Sequence, residues 1–448
     1  MRKLLIYICL LIPLGLSGQT SVTLEDCLRH SQEGNVSLQG GRLDIEAAKA
    51  RQGEVLWMFF PQVSVSSFGF WARDPLLNVG LSDILGDSRA ALVIDKGVQE
   101  IAGELELNTS VRALQYGWGV SAMAMQPLFA GGRIISGNRL AEVGTRAAEL
   151  QYQILQRDNR STVEEKYWQV VALQEKQKTL TQGRSVLDSL LKAVSAARRG
   201  GLIPEHDLTA VRLRQKELDA AEVALKGGIR LAKIDLFQTI GMPFTYRELD
   251  SYVCTDSIAT LPPPPAMDDA VAEPESRLLE LQVQAKKLEK QVQVGEYLPQ
   301  VGVGLGYGYG HLQGPTQPST KLLAFATVKI PLTGIGQAVY RARRYEAEVA
   351  KAQMDQAFLG AQLLLQQRKF HLEMEIAYEQ VRVAREAMVI AADGERRSRA
   401  DYRAGRIALA EYLKASLDRR TATETYVDKC MAYRKAYNAY CGRYLQEP

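Results

Sequence analysis

Apolar residues and glycines alternate without a break from Val301 to Gly310. Val301, Val303, Leu305, Tyr307 and Tyr309 are separated by Gly302, Gly304, Gly306, Gly308 and Gly310. A period of two predicts a β-strand with all its apolar side chains on one face. The other face carries no side chain, as suits a wall that lines a space. A partner strand is expected from about Leu322 to Pro331, and matching strands in the first half of the chain from Gln62 to Trp71 and from Gly117 to Gln126. About ten residues is the length of a tilted membrane-spanning β-strand. The glycines also admit a phosphate-binding loop, but no helix follows on which a phosphate could sit.

Elsewhere the period changes. Leu173, Leu180, Leu187 and Val194 recur every seven residues, and Phe370, Met374, Ala377, Val381, Ala384, Met388 and Ala391 follow in steps of four and three. That rhythm is a coiled-coil seam. Ile134 to Arg198 contains no proline. A helix of about 65 residues would run about 100 Å, far longer than an ordinary globular helix. Each long helix ends at a glycine turn, Gly200–Gly201 or Gly405, followed by a return helix from Glu205 to about Ile240 or from Ala408 to about Leu445. The expected fold is mainly α with a small β part: two long antiparallel hairpins, at about 134–240 and 335–445, and four strands.

The landmarks come in pairs. Phe59–Trp71 is echoed by Tyr297–Tyr309, with Pro-Gln-Val in both. Met125–Arg133 is echoed by Lys329–Gln337, and Arg199–Leu208 by Arg403–Tyr412, each displaced by 204 residues (125 to 329, 199 to 403). Three landmarks repeated in order imply a tandem duplication: a first repeat over 19–260, a proline-rich linker over 261–272 and a second repeat over 273–448. Residues 1–18 read as a secretory signal peptide, two cations followed by an apolar stretch too short to span a bilayer.

Composition narrows the function. Lys plus Arg number 55 against 51 Asp plus Glu, a net charge of +4 over 448 residues. So small an excess gives no basis for binding nucleic acid. Past the leader no apolar run is long enough for a transmembrane helix. Cys27, Cys254, Cys430 and Cys441 share no close spacing and indicate neither a zinc site nor a disulfide framework. His30, His206, His311 and His371 are scattered and read as surface or packing residues. With no nucleophile elbow, phosphate loop or metal-spaced cluster, neither an enzyme nor a cofactor or metal site is indicated.

Four membrane-length strands cannot close a barrel, because single-chain barrels begin at about eight, and an open edge in lipid leaves backbone groups unpaired. The chain must therefore share a barrel with copies of itself. Two copies would give eight strands and a filled interior, three would give twelve and a lumen, and the bare glycine face favours three. With the Pro-Gln-Val strand starts, Gln-Pro-Leu-Phe and Gly-Gly-Arg before the long helix, and the doubled glycine turns, the chain resembles the TolC family of outer-membrane efflux and export channels. The resemblance runs from Ser21 to Leu445. It implies a homotrimer in the outer membrane, with a twelve-stranded barrel embedded in lipid and an α-helical barrel crossing the periplasm. It also implies docking to a periplasmic adaptor (membrane fusion) protein and an inner-membrane transporter.

The resemblance carries residue roles too. An acidic residue six positions after the turn glycine lines the periplasmic aperture, which falls on Glu411 and, in the duplicate, on Asp207. The family's second aperture acid falls on Lys414, a departure that weakens a two-ring acidic filter. The gate tyrosine matches Tyr402, whereas the gate arginine position holds Ile407, with Arg406 one residue away. Gly200, Gly201, Leu202, Ala404, Gly405, Arg406 and Ile407 are expected to form the adaptor-docking tips. Loops at about 72–116 and 313–320 would lie at the outer mouth, with short helices between Leu76 and Ile101. A soluble periplasmic coiled-coil adaptor is the competing reading. The alternating strands speak against it, since an adaptor needs no lipid-facing surface.

Overall fold

A computed structural model describes residues 20–73, 77–80, 110–113, 115–200, 204–245, 249–267, 273–312, 318–332 and 334–444. In chain order the elements are β1 (Thr20–Val22), α1 (Leu24–Gly34), α2 (Val36–Leu56), β2 (Gln62–Trp71), β3 (Leu77–Gly80), β4 (Ser110–Ala113), β5 (Tyr116–Ala130), α3 (Arg133–Arg199), α4 (Glu205–Ile240), β6 (Tyr252–Cys254), α5 (Glu273–Gly295), β7 (Gln300–Leu312), β8 (Ser319–Lys329), α6 (Gly334–Arg403) and α7 (Leu409–Tyr444). Among the described residues no helix is long and apolar enough to cross a membrane. The chain forms two compact units, one comprising 1–46, 146–281 and 354–448, the other 47–145 and 282–353. Each unit draws on both halves of the sequence.

The first unit holds most of the helical hairpins. Its core packs Tyr167, Phe237, Leu236, Ile240, Met374, Tyr433 and Tyr440, with the free thiols Cys27 and Cys430 buried among them. Burial and the nearby Cys254 push the Cys27 thiol up to about 12. β1 pairs in parallel with β6, Val22 opposite Cys254. Thr23 caps α1 with its side chain while Asp26 reaches back to the Thr23 amide. Asp256 accepts from the Tyr167 hydroxyl at 2.7 Å and from the Leu24 amide at 3.3 Å, so a single carboxylate ties α3 to the start of α1. Two helices, α1 and α2, lead the first half. Asn35 breaks the run and accepts from the amides of Ser37 and Leu38, capping α2.

The proline-rich segment is strapped onto the helices. Tyr433 donates to Pro262 O at 2.6 Å, and Arg434 lies 3.4 Å over the Trp168 ring. On α6 the predicted seam is buried at Met374, Val381 and Ala384. Its next step, four residues past Ala391, is Glu395, which is only 4% exposed.

The second unit is built on an antiparallel sheet in the order β2-β5-β7-β8. Contact between the two sequence halves is made by β5 and β7, Ser121 opposite Gly308. β5 runs further than expected, through Pro127 to Ala130, because the ladder shifts register between Pro127 and Phe129. The extra residue of the bulge is Leu128, next to Pro127, which cannot donate to the ladder. β8 starts earlier than expected, at Ser319, and ends at Lys329, two residues short of Pro331. In the outer loop, Leu77–Gly80 is not helical but pairs as a strand with Ser110–Ala113, and the rest of 76–101 lies outside the described residues. Below the strands, Gly131 (φ 63°) turns β5 into α3, and its Cα lies so close to the Gly295 carbonyl that no Cβ fits. Lys290–Glu346 at 2.7 Å and Arg341–Glu296 at 2.9 Å join α5 to the start of α6.

Candidate functional sites: the hairpin turns and the strand sheet

The turn between α6 and α7 is set by Gly405, whose φ of 70° lies in the left-handed region. Its amide donates to Tyr402 O at 3.0 Å and the Arg406 amide to Asp401 O at 2.8 Å, the paired bonds of a Schellman cap. Ala404, Gly405 and Arg406 are exposed and Ile407 half-buried. The Arg406 guanidinium lies on Asp401 within the same turn, Nε to Oδ1 at 2.9 Å. Glu411 sits in the first turn of α7, exposed, and no described residue forms an ion pair with it.

Tyr402 stacks on Tyr412, ring centroids 5.6 Å apart at 10°, in a cluster shared with Val194, Leu208, Val211 and Leu409. Burial, and then the neighbouring Asp207 carboxylate, hold the Tyr402 hydroxyl above its ordinary range. The fold thus brings together Tyr402 and Asp207, which lie 195 residues apart in sequence (207 to 402). Asp207 also lies 3.3 Å from His206 Nε2. In the first turn, Gly200 closes α3 by donating to Ala196 O at 3.1 Å, and Arg198 bridges to Glu205 at 2.7 Å. Gly201 and Leu202 lie outside the described residues.

Sequence reasoning missed a polar centre just above the second turn. The buried Glu395 carboxylate meets Arg399 at 3.4 Å and Arg419 at 3.1 Å, and accepts from the Tyr412 hydroxyl at 3.4 Å. Tyr412 in turn accepts from Arg399 Nε at 3.3 Å. Two cations and a hydroxyl compensate a charge that would otherwise be costly to bury. The signal was present in the seam, where the four-three rhythm lands on an acid with an arginine four residues on.

The sheet has two unlike faces. Residues directly opposite one another share a face, so the register puts Val63, Val65, Trp71, Trp118, Val120, Leu305, Tyr307, Tyr309, Leu322 and Val328 on one side. Trp118 and Tyr309 meet edge to face at 5.6 Å near the end away from the helices. The other side carries Ser64, Ser66, Ser121, the glycines of β7, Lys321, Thr327 and Lys329, together with Phe68, Phe70, Met123, Met125, Leu323 and Phe325, and it holds both lysines of the four strands. Ser66 and Ser121 are hydrogen-bonded at 3.0 Å. The glycine row is partly roofed by neighbours: the Phe68 ring lies over Gly119 and the Phe325 ring over Gly304.

Long helical hairpins and a sheet apolar on one face also occur together in known proteins. Residues 28–242, from α1 to the end of α4, match the sequence profile of the outer membrane efflux protein family. Over this span the chain is similar to that family. Solved structures share its fold over nearly the whole length. The outer-membrane channel OprN is 15% identical with a TM-score of 0.73, covering 94% of this chain and 89% of its own. The CmeC outer membrane channel of Campylobacter jejuni is 12% identical with a TM-score of 0.74, covering 95% and 87%. The outer membrane protein VceC of Vibrio cholerae is 11% identical with a TM-score of 0.70, covering 93% and 95%. No curated protein sequence matches. The matching family is one of outer membrane proteins, and the solved structures that share the fold include outer-membrane channels.

Proposed function

We propose that three copies of the chain close a twelve-stranded barrel above an α-helical barrel, and that the trimer is a passive duct for a tripartite efflux pump or a type I secretion system. It would export small molecules or proteins, with energy supplied by an inner-membrane transporter reached through a periplasmic adaptor. One observation carries the reading: a four-stranded sheet of membrane-length strands with an apolar face and, among the described residues, no partner along the outer edges of β2 and β8. In lipid those edges need partners, and another copy supplies them. Support comes also from α6, where Phe358, Leu365, Leu372, Ile376, Val383 and Ile390 form an exposed stripe at steps of seven and four. A neighbouring copy would cover it as one coiled-coil seam covers another.

In this reading the chain is a tandem duplication, 19–260 and 273–448 joined by 261–272 after a leader at 1–18, so that each hairpin contributes a turn to the periplasmic tip. Glu411 and Asp207 line the aperture, where crowded carboxylates favour cations and bind divalent ions. Tyr402 and Arg406 take part in the gate. Gly200, Gly201, Leu202, Ala404, Gly405 and Ile407 dock the adaptor.

Reconstitution in planar bilayers tests the duct. The purified protein should form discrete channels, and Glu411→Ala should alter cation selectivity or divalent block. Unaltered recordings would remove Glu411 from the aperture. Tyr402→Phe should raise the conductance of the closed state. Recovery in the soluble periplasm without detergent would sink the channel in favour of a soluble adaptor.

A further inference from the structure

The four strands contain no Asp or Glu, and their only Lys or Arg residues are Lys321 and Lys329, both on β8. Both fall on the face of serines and glycines: Lys321 lies opposite Gly308 and Lys329 opposite Gln300. Both are exposed. Glycine opposite Lys321 leaves nothing on the adjacent strand to cover or neutralise its ammonium. The eight steps from Lys321 to Lys329 span about 27 Å of strand, close to the height of a membrane-embedded barrel wall. Lys329 therefore lies at the helix-connected end and Lys321 towards the far end.

A face with two ammonium groups and a row of hydroxyls cannot turn to lipid while the opposite face, with Val65, Leu305 and Leu322, can. Resting on the trimeric reading above, we infer that Lys321 and Lys329 form two rings of three ammonium groups inside the barrel and make its lumen selective for anions and for cargo bearing carboxylate or phosphate groups. Rings of Lys or Arg are how pores favour anions. The outer part of the duct then opposes the acidic aperture proposed at Glu411. Cationic cargo would be drawn in at the tip and anionic cargo held in the barrel.

Reversal potentials of the full-length channel under a tenfold KCl gradient test this inference. The variant Lys321→Gln/Lys329→Gln should keep its single-channel conductance near that of wild type while its chloride-to-potassium permeability ratio falls about threefold, the size expected for charges partly screened at about 0.1 M salt. Lys321→Glu/Lys329→Glu should lower it further. Conducting Gln or Glu variants with an unchanged ratio would overturn the lumen assignment. If the double variants form no channels, Lys321→Cys and Lys329→Cys singly, treated with a sulfonate-bearing thiol reagent, should drop in chloride preference on reaction. Wild type treated alike should not, and cysteine variants that react without a change in selectivity would also overturn the inference. A wild-type protein that forms no channels would overturn the duct reading itself.

Discussion

The strand sheet and the helical core treat the same kinds of residue in opposite ways. In the core, Tyr433 is 0% exposed and its hydroxyl is satisfied by Pro262 O. In the sheet, Val63 and Leu322 are each 70% exposed. On one side of α6 the seam is completed by its own chain: Met374 and Val381 lie in a core shared with residues of α3, α4 and α7. The sheet leaves its apolar face open, and in the proposed duct lipid completes it. Where water is the solvent, an exposed valine row would be a liability, whereas in a membrane it meets hydrocarbon at no cost.

The comparison can be broken most forcefully in the helical core. Tyr433→Ala should destabilise the protein by about 3–5 kcal/mol through the cavity it opens, whereas Tyr433→Phe should cost only about 1 kcal/mol for the lost hydrogen bond. Denaturant titration of the detergent-solubilised protein reads both, and similar losses would show that packing is not what holds the core.

Next in size is a charge on either face of the sheet. Leu305→Arg puts a cation on the apolar face near mid-strand and should cost about 2–4 kcal/mol, seen as loss of protein from the outer membrane. Leu323→Arg, on the serine and glycine face, should be inserted normally. Equal defects would erase the distinction between the faces.

Smaller again is the buried acid. Glu395→Gln keeps an acceptor for Tyr412 but leaves Arg419 without its charge partner, so a loss of about 1–3 kcal/mol is expected. Thermal melting should lose that difference in an Arg419→Gln background, and a loss that persists there would mean the pair does not act together.

The smallest effect belongs to Lys233, buried in the same core with its ammonium on Leu249 O at 2.8 Å. Burial holds it below its ordinary value. Between that lowered value and the usual lysine value of about 10.4 the unfolded chain binds more protons, so stability rises with pH across this window. Lys233→Met should shift stability at neutral pH by about 1 kcal/mol or less and flatten the alkaline rise. An equally steep rise in the variant would assign the pH dependence to other groups.

Much of this was legible beforehand. The strict alternation at Val301–Gly310 announced β7, and the seven-residue spacing of Leu173, Leu180, Leu187 and Val194 announced α3. Less legible was β5, because Pro127 looks like a strand end until a bulge at Leu128 is seen to carry the ladder past it. The glycine face of β7 read as bare, yet Phe68 and Phe325 lean over parts of the same face from neighbouring strands. Tyr402 and Glu411 could be located by counting from the turn glycine, but nothing in the spacing told that Asp207 would sit beside Tyr402 or that Arg406 would bond to Asp401.

Sequence by itself determined the kinds of the principal elements and their apolar sides, because periods of two and three and a half are local properties that each segment carries. Only the tertiary structure decided the order β2-β5-β7-β8, the parallel pairing of β1 with β6 and the meeting of Glu395 with Arg419. It also decided which lysines share a face with which serines. Those choices depend on partners brought together across tens to hundreds of residues, and on packing that no single segment can express alone.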